Sequence, residues 1–286
     1  MLSGYEKYLK ANYESGNTVT AYLGNAGRYL RWCKETYGTE PDSLYRVNIV
    51  DFLCYIKTVA LFQPGTVNAY LNALINFNEY LVHEKIQTEM VVFPSDHMET
   101  QPHGFVKDKI TVEDFNRMGQ AILQSRRKNN KRDYAMFMLL SQAGLRREEL
   151  VDIYMDDVQL KDHILLVREG KGRKSRYVII NSRTAAALEE YMKVRSSSSR
   201  YLFTSRQNTK LSRSRINQIL DEYKAGTGID KKISPHKWRR YNATRSKEVG
   251  VAESDIQNNL GHSNRRTTRG YFDTTVEERV KELDKL

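Results

Sequence analysis

The chain has 286 residues, 40% of them hydrophobic, and no apolar run near the length of a membrane span, so it suits one large buried core or two modest ones. Its two cysteines, Cys33 and Cys54, exclude a disulfide scaffold and a cysteine-built zinc site, and the charged, tyrosine-bearing start MLSGYEKYLKANYESG lacks the apolar core of an export signal, which points to the cytoplasm. Basic residues exceed acidic ones by 46 to 35, and the excess is local: residues 1–100 hold 8 basic and 11 acidic side chains, residues 101–286 hold 38 and 24. The second part is the one built to face a polyanion, its cations interleaved with Tyr, Asn, Ser and Thr as on a folded surface, although charge alone fits a merely soluble basic domain equally well.

From Ser15, SGNTVTAYLGNAGRYLRWCKETYG has the period of a capped amphipathic helix stopping at Gly38, with Cys33 in step with Leu23, Ala26 and Leu30 as a core residue. PDSLYRVNIVDFLCYIKTVA and PGTVNAYLNALINFNEYLVHEK each open at a proline or polar cap, and in the second Val67, Tyr70, Leu71, Leu74, Phe77 and Leu81 recur at threes and fours. Residues 1–95 are therefore expected to form a helical domain. VVFPSDHMETQPHGFVKD has two prolines, a glycine and no sustained period, which places a linker at 96–107 with His97 and His103 as solvated loop residues. The second domain, 108–286, opens with helices that include RDYAMFMLLSQAGLRREELVDI; HILLVREGKGRKSRYVII then reads as a hairpin of two β-branched runs around a Gly-Lys-Gly turn. Helical periodicity resumes at TAAALEEYMKVR, and after a surface loop at Ser196–Ser199 it returns in SRSRINQILDEYKAG and PHKWRRYNATRSKEVG. In the tail FDTTVEERVKELDKL, Thr274 or Thr275 caps a short helix, Glu277 and Glu278 suit its first turn, and Val276, Val280 and Leu283 line one face. The expected fold class is mainly α with a small β-hairpin, α+β in two domains.

Chemistry concentrates in the second domain. GKGRKS is not a phosphate-binding P-loop, because the earlier glycine and the following helix are missing; Lys171 sits at the tip of the hairpin, where it either reaches towards a phosphate or is simply a solvated turn lysine. GLRREEL sets Arg146 and Glu149 three residues apart, and PHKWRR does the same for His236 and Arg239, so each pair shares a helical face. Taken singly, such pairs are ordinary surface or helix-end contacts. LGHSNRRTTRGYF places His262 nine residues before Tyr271 among arginines. SRSRINQILDEYK carries Arg213, Arg215 and Asn217 near its start, donors suited to base edges or phosphates in a major groove if the helix is not merely solvated.

The conjunction, in chain order, of GLRREEL, EGKGRK, HKWRR, LGH and a tyrosine nine residues later resembles the catalytic signature of the tyrosine recombinases, the phage-integrase, Xer and Cre family. The resemblance runs through the whole chain, strongest from Lys107 onwards, and departs from the family only in Arg-Tyr-Asn after Arg239, which flanks the signature. It implies a two-domain C-shaped clamp on DNA, with an N-terminal core-type DNA-binding domain. It also implies that Tyr271 is the nucleophile, that Arg146, Arg239 and His262 stabilise charge on the phosphate, that His236 accepts the tyrosine proton or holds the phosphate, that Lys171 protonates the departing 5′ oxygen, and that Glu149 orients the shell. No metal or other cofactor is implied, no small-molecule substrate and no membrane. The implied partners are duplex DNA with specific recombination sites and three further copies in a homotetramer, with exchange through a Holliday junction at the nucleoid. The early onset of the core-binding pattern favours an Xer-like or transposon-resolving enzyme without an arm-binding domain. Within the family the C-terminal segment is often donated to a neighbouring protomer, so the tail helix is expected to dock in trans in the tetramer and in cis, or loosely, in a free chain. Two alternatives stay open: a type IB topoisomerase-like relaxing enzyme, which shares the phosphotyrosyl chemistry, and a non-catalytic basic DNA-binding protein.

Overall fold

The computed structural model describes residues 1–13, 16–98, 109–168, 175–261 and 276–286, in two compact units, Met1–Phe105 and Val106–Leu286. Among the described residues no helix is long and apolar enough to cross a membrane.

The first unit is helical: α1 (Leu2–Asn12), α2 (Gly16–Tyr37), α3 (Arg46–Thr58) and α4 (Pro64–His83). Sequence periodicity did not mark α1, yet Tyr5 and Leu9, one turn apart, are fully buried, and the Tyr5 hydroxyl donates to Asn76 Oδ1 at 2.9 Å. Helix α2 stops where expected, at Gly38 in the left-handed region (φ +80), and Cys33 is buried in its core face. Helix α3 starts at Arg46, later than the proline cap suggested, because Leu44 is buried and its N–H donates to Gln87 Oε1 at 2.9 Å. Helix α4 has Pro64 in its first turn, and its six spaced apolar residues all face the core.

The segment after α4 stays bound to this unit. Asn78 Oδ1 accepts the N–H groups of Val91 and Val92 at 2.6 and 3.1 Å, and Arg46 grips the Asp96 carboxylate with both terminal nitrogens at 2.6 and 2.7 Å. His97, expected as a solvated loop residue, is instead partly buried, its ring nitrogens 2.7 Å from the Pro94 carbonyl and 2.9 Å from Asn72 Oδ1. His103 lies outside the described residues, as do the helix caps proposed at Ser15, Thr274 and Thr275.

The second unit contains α5 (Val112–Leu123), α6 (Asn130–Ser141), α7 (Arg147–Val151), β1 (Val158–Gln159), β2 (Ile164–Val167), β3 (Arg176–Ile179), α8 (Ser182–Val194), α9 (Arg213–Lys224), α10 (Pro235–Glu248), α11 (Glu253–Leu260) and α12 (Val276–Leu283). Helix α6 is apolar on every side from Ala135 to Leu140 and is buried throughout, as a helix of that composition must be. Phe137 and the fully buried Trp238 of α10 meet edge to face across it, 4.9 Å between ring centroids. The expected hairpin is β2 and β3, antiparallel with Leu165 opposite Val178; β1, only two residues long, adds a third strand at the edge. The tail helix α12 lays Val276, Val280 and Leu283 against Ile179, Val251 and Ile256 of its own unit, the cis arrangement. The fold is mainly helical with a small three-stranded antiparallel sheet.

Candidate active site

Gly144 and Glu149 organise the site. Helix α6 ends at Ser141, and the chain turns through Gly144, whose φ of +66 favours glycine. A Cβ there would lie 2.6 Å from Leu260 Cδ2 and 2.7 Å from Asn242 Oδ1, so α10 and α11 approach this backbone as closely as they do only because it lacks a side chain. Arg146 is the N-cap of α7, and Glu149, at the third position, folds back so that Oε2 accepts the Arg146 N–H at 2.8 Å while Oε1 accepts from Arg146 Nη1 at 2.7 Å. Arg176 of β3 binds the same carboxylate with both terminal nitrogens, at 2.8 and 3.0 Å. Arg239 of α10 approaches it to 4.0 Å.

The same guanidinium groups hold the last turn of α11. Arg176 Nε donates to the Asn259 carbonyl at 3.0 Å, Arg239 to the Leu260 carbonyl, and Arg146 to the Gly261 carbonyl at 3.2 Å. Arg239 also donates to the Gly144 carbonyl at 2.6 Å. Helix C-termini leave carbonyls without intrahelical partners and carry partial negative charge, so three consecutive carbonyls form a natural seat for cations.

Glu149 is 4% exposed. Burial by itself would raise its pKa, but the hydrogen bonds and charge of Arg176, then the N–H and guanidinium of Arg146, outweigh that and hold it at about 2. Arg239 is 7% exposed, and burial followed by the charge of Arg146 brings its pKa down to about 10, with Glu149 opposing the drop. It remains a cation at neutral pH. With three arginines around one carboxylate, the centre is a net positive receptor for an anion.

The structure thus brings together Arg146, Glu149 and Arg239. His236 stands exposed in the first turn of α10, behind the Ser234 cap whose hydroxyl accepts the Lys237 N–H at 3.3 Å, one turn before Arg239. Lys171, His262 and Tyr271 lie outside the described residues. On α9, Arg213 is exposed, whereas Arg215 lies along the helix, donating to Gln218 at 3.2 Å and Glu222 at 2.6 Å, and Asn217 turns its Oδ1 into the protein. Tyr241, the other tyrosine close to the signature, is 5% exposed and stacked on Phe115 with ring planes 13° apart. Arg176 escaped the sequence reading. Its signal was an arginine two residues before Val178 in a strand, hence on the buried face.

A model of the phage integrase family matches residues 109–278. The chain is 31% identical over 272 residues to the TnP I resolvase of Bacillus thuringiensis, covering 93% of each chain. It is also 31% identical over 296 residues to the tyrosine recombinase XerA of Thermococcus kodakarensis, covering 100% of this chain and 97% of that one. Among solved structures, a lambda integrase (residues 75–356) dimer bound to a COC′ core site matches in fold with a TM-score of 0.70 at 15% identity, over 94% of this chain and 97% of that one. The family model and the two relatives matched over nearly the whole chain, named as a resolvase and a tyrosine recombinase, define a DNA strand-transferring enzyme. The chain belongs to the phage integrase family, the tyrosine recombinases.

Proposed function

We propose that the protein is a site-specific DNA recombinase that cuts and rejoins duplex strands through a 3′-phosphotyrosyl intermediate, exchanging them in pairs through a Holliday junction within a homotetramer. The observation that carries this reading is the convergence of Arg146 and Arg239 on Glu149 at the end of α11. Planar guanidinium groups in fixed positions match the charge that builds on non-bridging phosphate oxygens during in-line attack, and they bind the transition state better than the ground state. The phenolic oxygen of Tyr271 forms the new bond to phosphorus as the bond to the 5′ oxygen breaks. His236 takes the tyrosine proton, Lys171 gives one to the 5′ oxygen, and His262 adds a hydrogen bond to the phosphate. The ester conserves the energy of the broken bond, so a 5′ hydroxyl from a partner strand reverses the step and completes exchange, with no nucleotide or metal.

The helical unit 1–95 serves as a core-type DNA-binding domain, residues 96–107 as the linker and 108–286 as the catalytic domain, acting at the nucleoid. The resemblance to a resolvase and to the recombinase XerA over nearly the full chain supports resolution of cointegrates or dimers. Footprinting defines the site, and supercoiled plasmids bearing one or two copies then test the reading. Recombinant circles are expected from two-site plasmids alone. Relaxation of single-site plasmids without recombinants would indicate a topoisomerase, and binding with no broken strand would indicate a non-catalytic protein.

A further inference from the structure

Glu149 has more claims on it than the catalytic signature accounts for. Its carboxylate meets Arg146 through one terminal nitrogen and one N–H, but Arg176 takes both oxygens at once, at 2.8 and 3.0 Å. A forked guanidinium facing a carboxylate in this way fixes its plane as well as its position, which a single ammonium cannot do. The Arg176 side chain is 13% exposed. Its third nitrogen reaches the Asn259 carbonyl, and the Asn259 side chain closes a second latch, accepting the Ile179 N–H and donating to the Ile179 carbonyl, each at 3.3 Å. Strand β3 is thereby fastened to the end of α11. Gly261 completes the fit, since a Cβ there would stand 2.9 Å from Arg176 Nε and Cζ.

We propose that Arg176 is a positioning residue of the strand-transfer centre, setting through Glu149 and the end of α11 where Arg146 and Arg239 point. It need not touch the phosphate. This role rests on the function proposed above. The charged groups facing Glu149 among the described residues are Arg146 on its own helix, Arg176 on β3 and Arg239 on α10. Removing Arg176 takes away the largest influence holding the buried carboxylate ionised, so Glu149 then protonates at higher pH and releases the arginines.

The test uses the full-length chain and a duplex of its footprinted site, nicked beside the scissile phosphate so that the adduct is trapped. R176Q should bind the intact site as wild type does and form adduct about a hundredfold more slowly, the scale of a misplaced catalytic group. Its rate should fall further as pH is lowered through the mildly acidic range where the wild-type rate holds. R176K, which keeps the charge and lacks the fork, should recover only part of the rate, and it carries the test if R176Q fails to fold. R176Q/E149Q should be no slower than the slower single variant, because both changes break one linkage. Wild-type rates in R176Q and R176K, a pH profile parallel to wild type, or multiplying effects in the double variant would overturn the role. A wild-type chain that forms no adduct would instead remove the function on which the role rests.

Discussion

Burial would drive the Glu149 carboxyl to hold a proton, and the guanidinium groups of Arg176 and Arg146 keep it ionised, with a pKa of about 2 against an ordinary 4.5. A carboxylate whose pKa falls on folding stabilises the fold fully above its ordinary value and loses that contribution as pH falls through the folded one. Glu149→Gln should therefore cost about 3 kcal/mol at pH 7, the scale for breaking a buried ion pair, and the gap from wild type should shrink as pH drops from 4.5 towards 2. Urea unfolding at neutral and acid pH measures it; a gap independent of pH would contradict the account. Arg146→Ala and Arg239→Ala should each slow single-turnover cleavage about a hundredfold or more while site binding changes far less. The cluster of Arg146, Glu149 and Arg239 was readable in GLRREEL and HKWRR, but not the way Arg146 meets Glu149, since Arg146 is an extended N-cap and not a residue on the same helical face. Arg176 was not readable, since no local rule says that a strand arginine will meet a carboxylate 27 residues earlier in the chain.

At the scale of elements, the tail helix α12 is fastened by more than its apolar face. The Asp284 carboxylate accepts the N–H and hydroxyl of Ser182 at 2.7 Å each, Asn181 donates to the Leu283 carbonyl at 3.2 Å, and Arg279 pairs with Asp255. Asp284 thus supplies a cap to α8, whose own cap Asn181 accepts the Thr184 N–H at 2.9 Å. Leu283→Ala should destabilise the isolated chain by about 2 kcal/mol or more, and truncation after Thr275 by more than that. Thermal melting checks both; an unchanged midpoint in the truncated chain would mean that α12 leaves this seat in the free protein. The stripe of Val276, Val280 and Leu283 was legible from its period, but its seat was not, because Ile179, Val251 and Ile256 come from distant segments. Period likewise marked α2, α4 and the hairpin, whereas α1 was hidden by lysines and tyrosines spaced among its buried residues, and β1 is too short to carry an alternation.

For the whole molecule, the charge split between 8 basic and 11 acidic residues in 1–100 and 38 and 24 in 101–286 leads us to expect the larger share of phosphate contacts from the second part. Affinity of the full chain for its site should fall about a thousandfold or more between 50 and 200 mM salt, as for a protein neutralising about six phosphates or more. Titrations at stepped salt read this directly, and a nearly flat dependence would contradict it. Under the proposed mechanism strand cleavage should also proceed undiminished in excess chelator, because Arg146 and Arg239 would supply the positive charge that a metal provides elsewhere.

Under the proposed function, the phenolic oxygen of Tyr271 becomes covalently joined to DNA. Trapping the adduct on a nicked site, digesting the protein and sequencing the nucleotide-bearing peptide by mass spectrometry tests it most directly. The expected result is one modified peptide carrying a 3′-phosphate ester on Tyr271, with wild-type site binding and no adduct in Tyr271→Phe. An adduct that persists in that variant, or one that maps to another residue such as the buried Tyr241, would contradict the account.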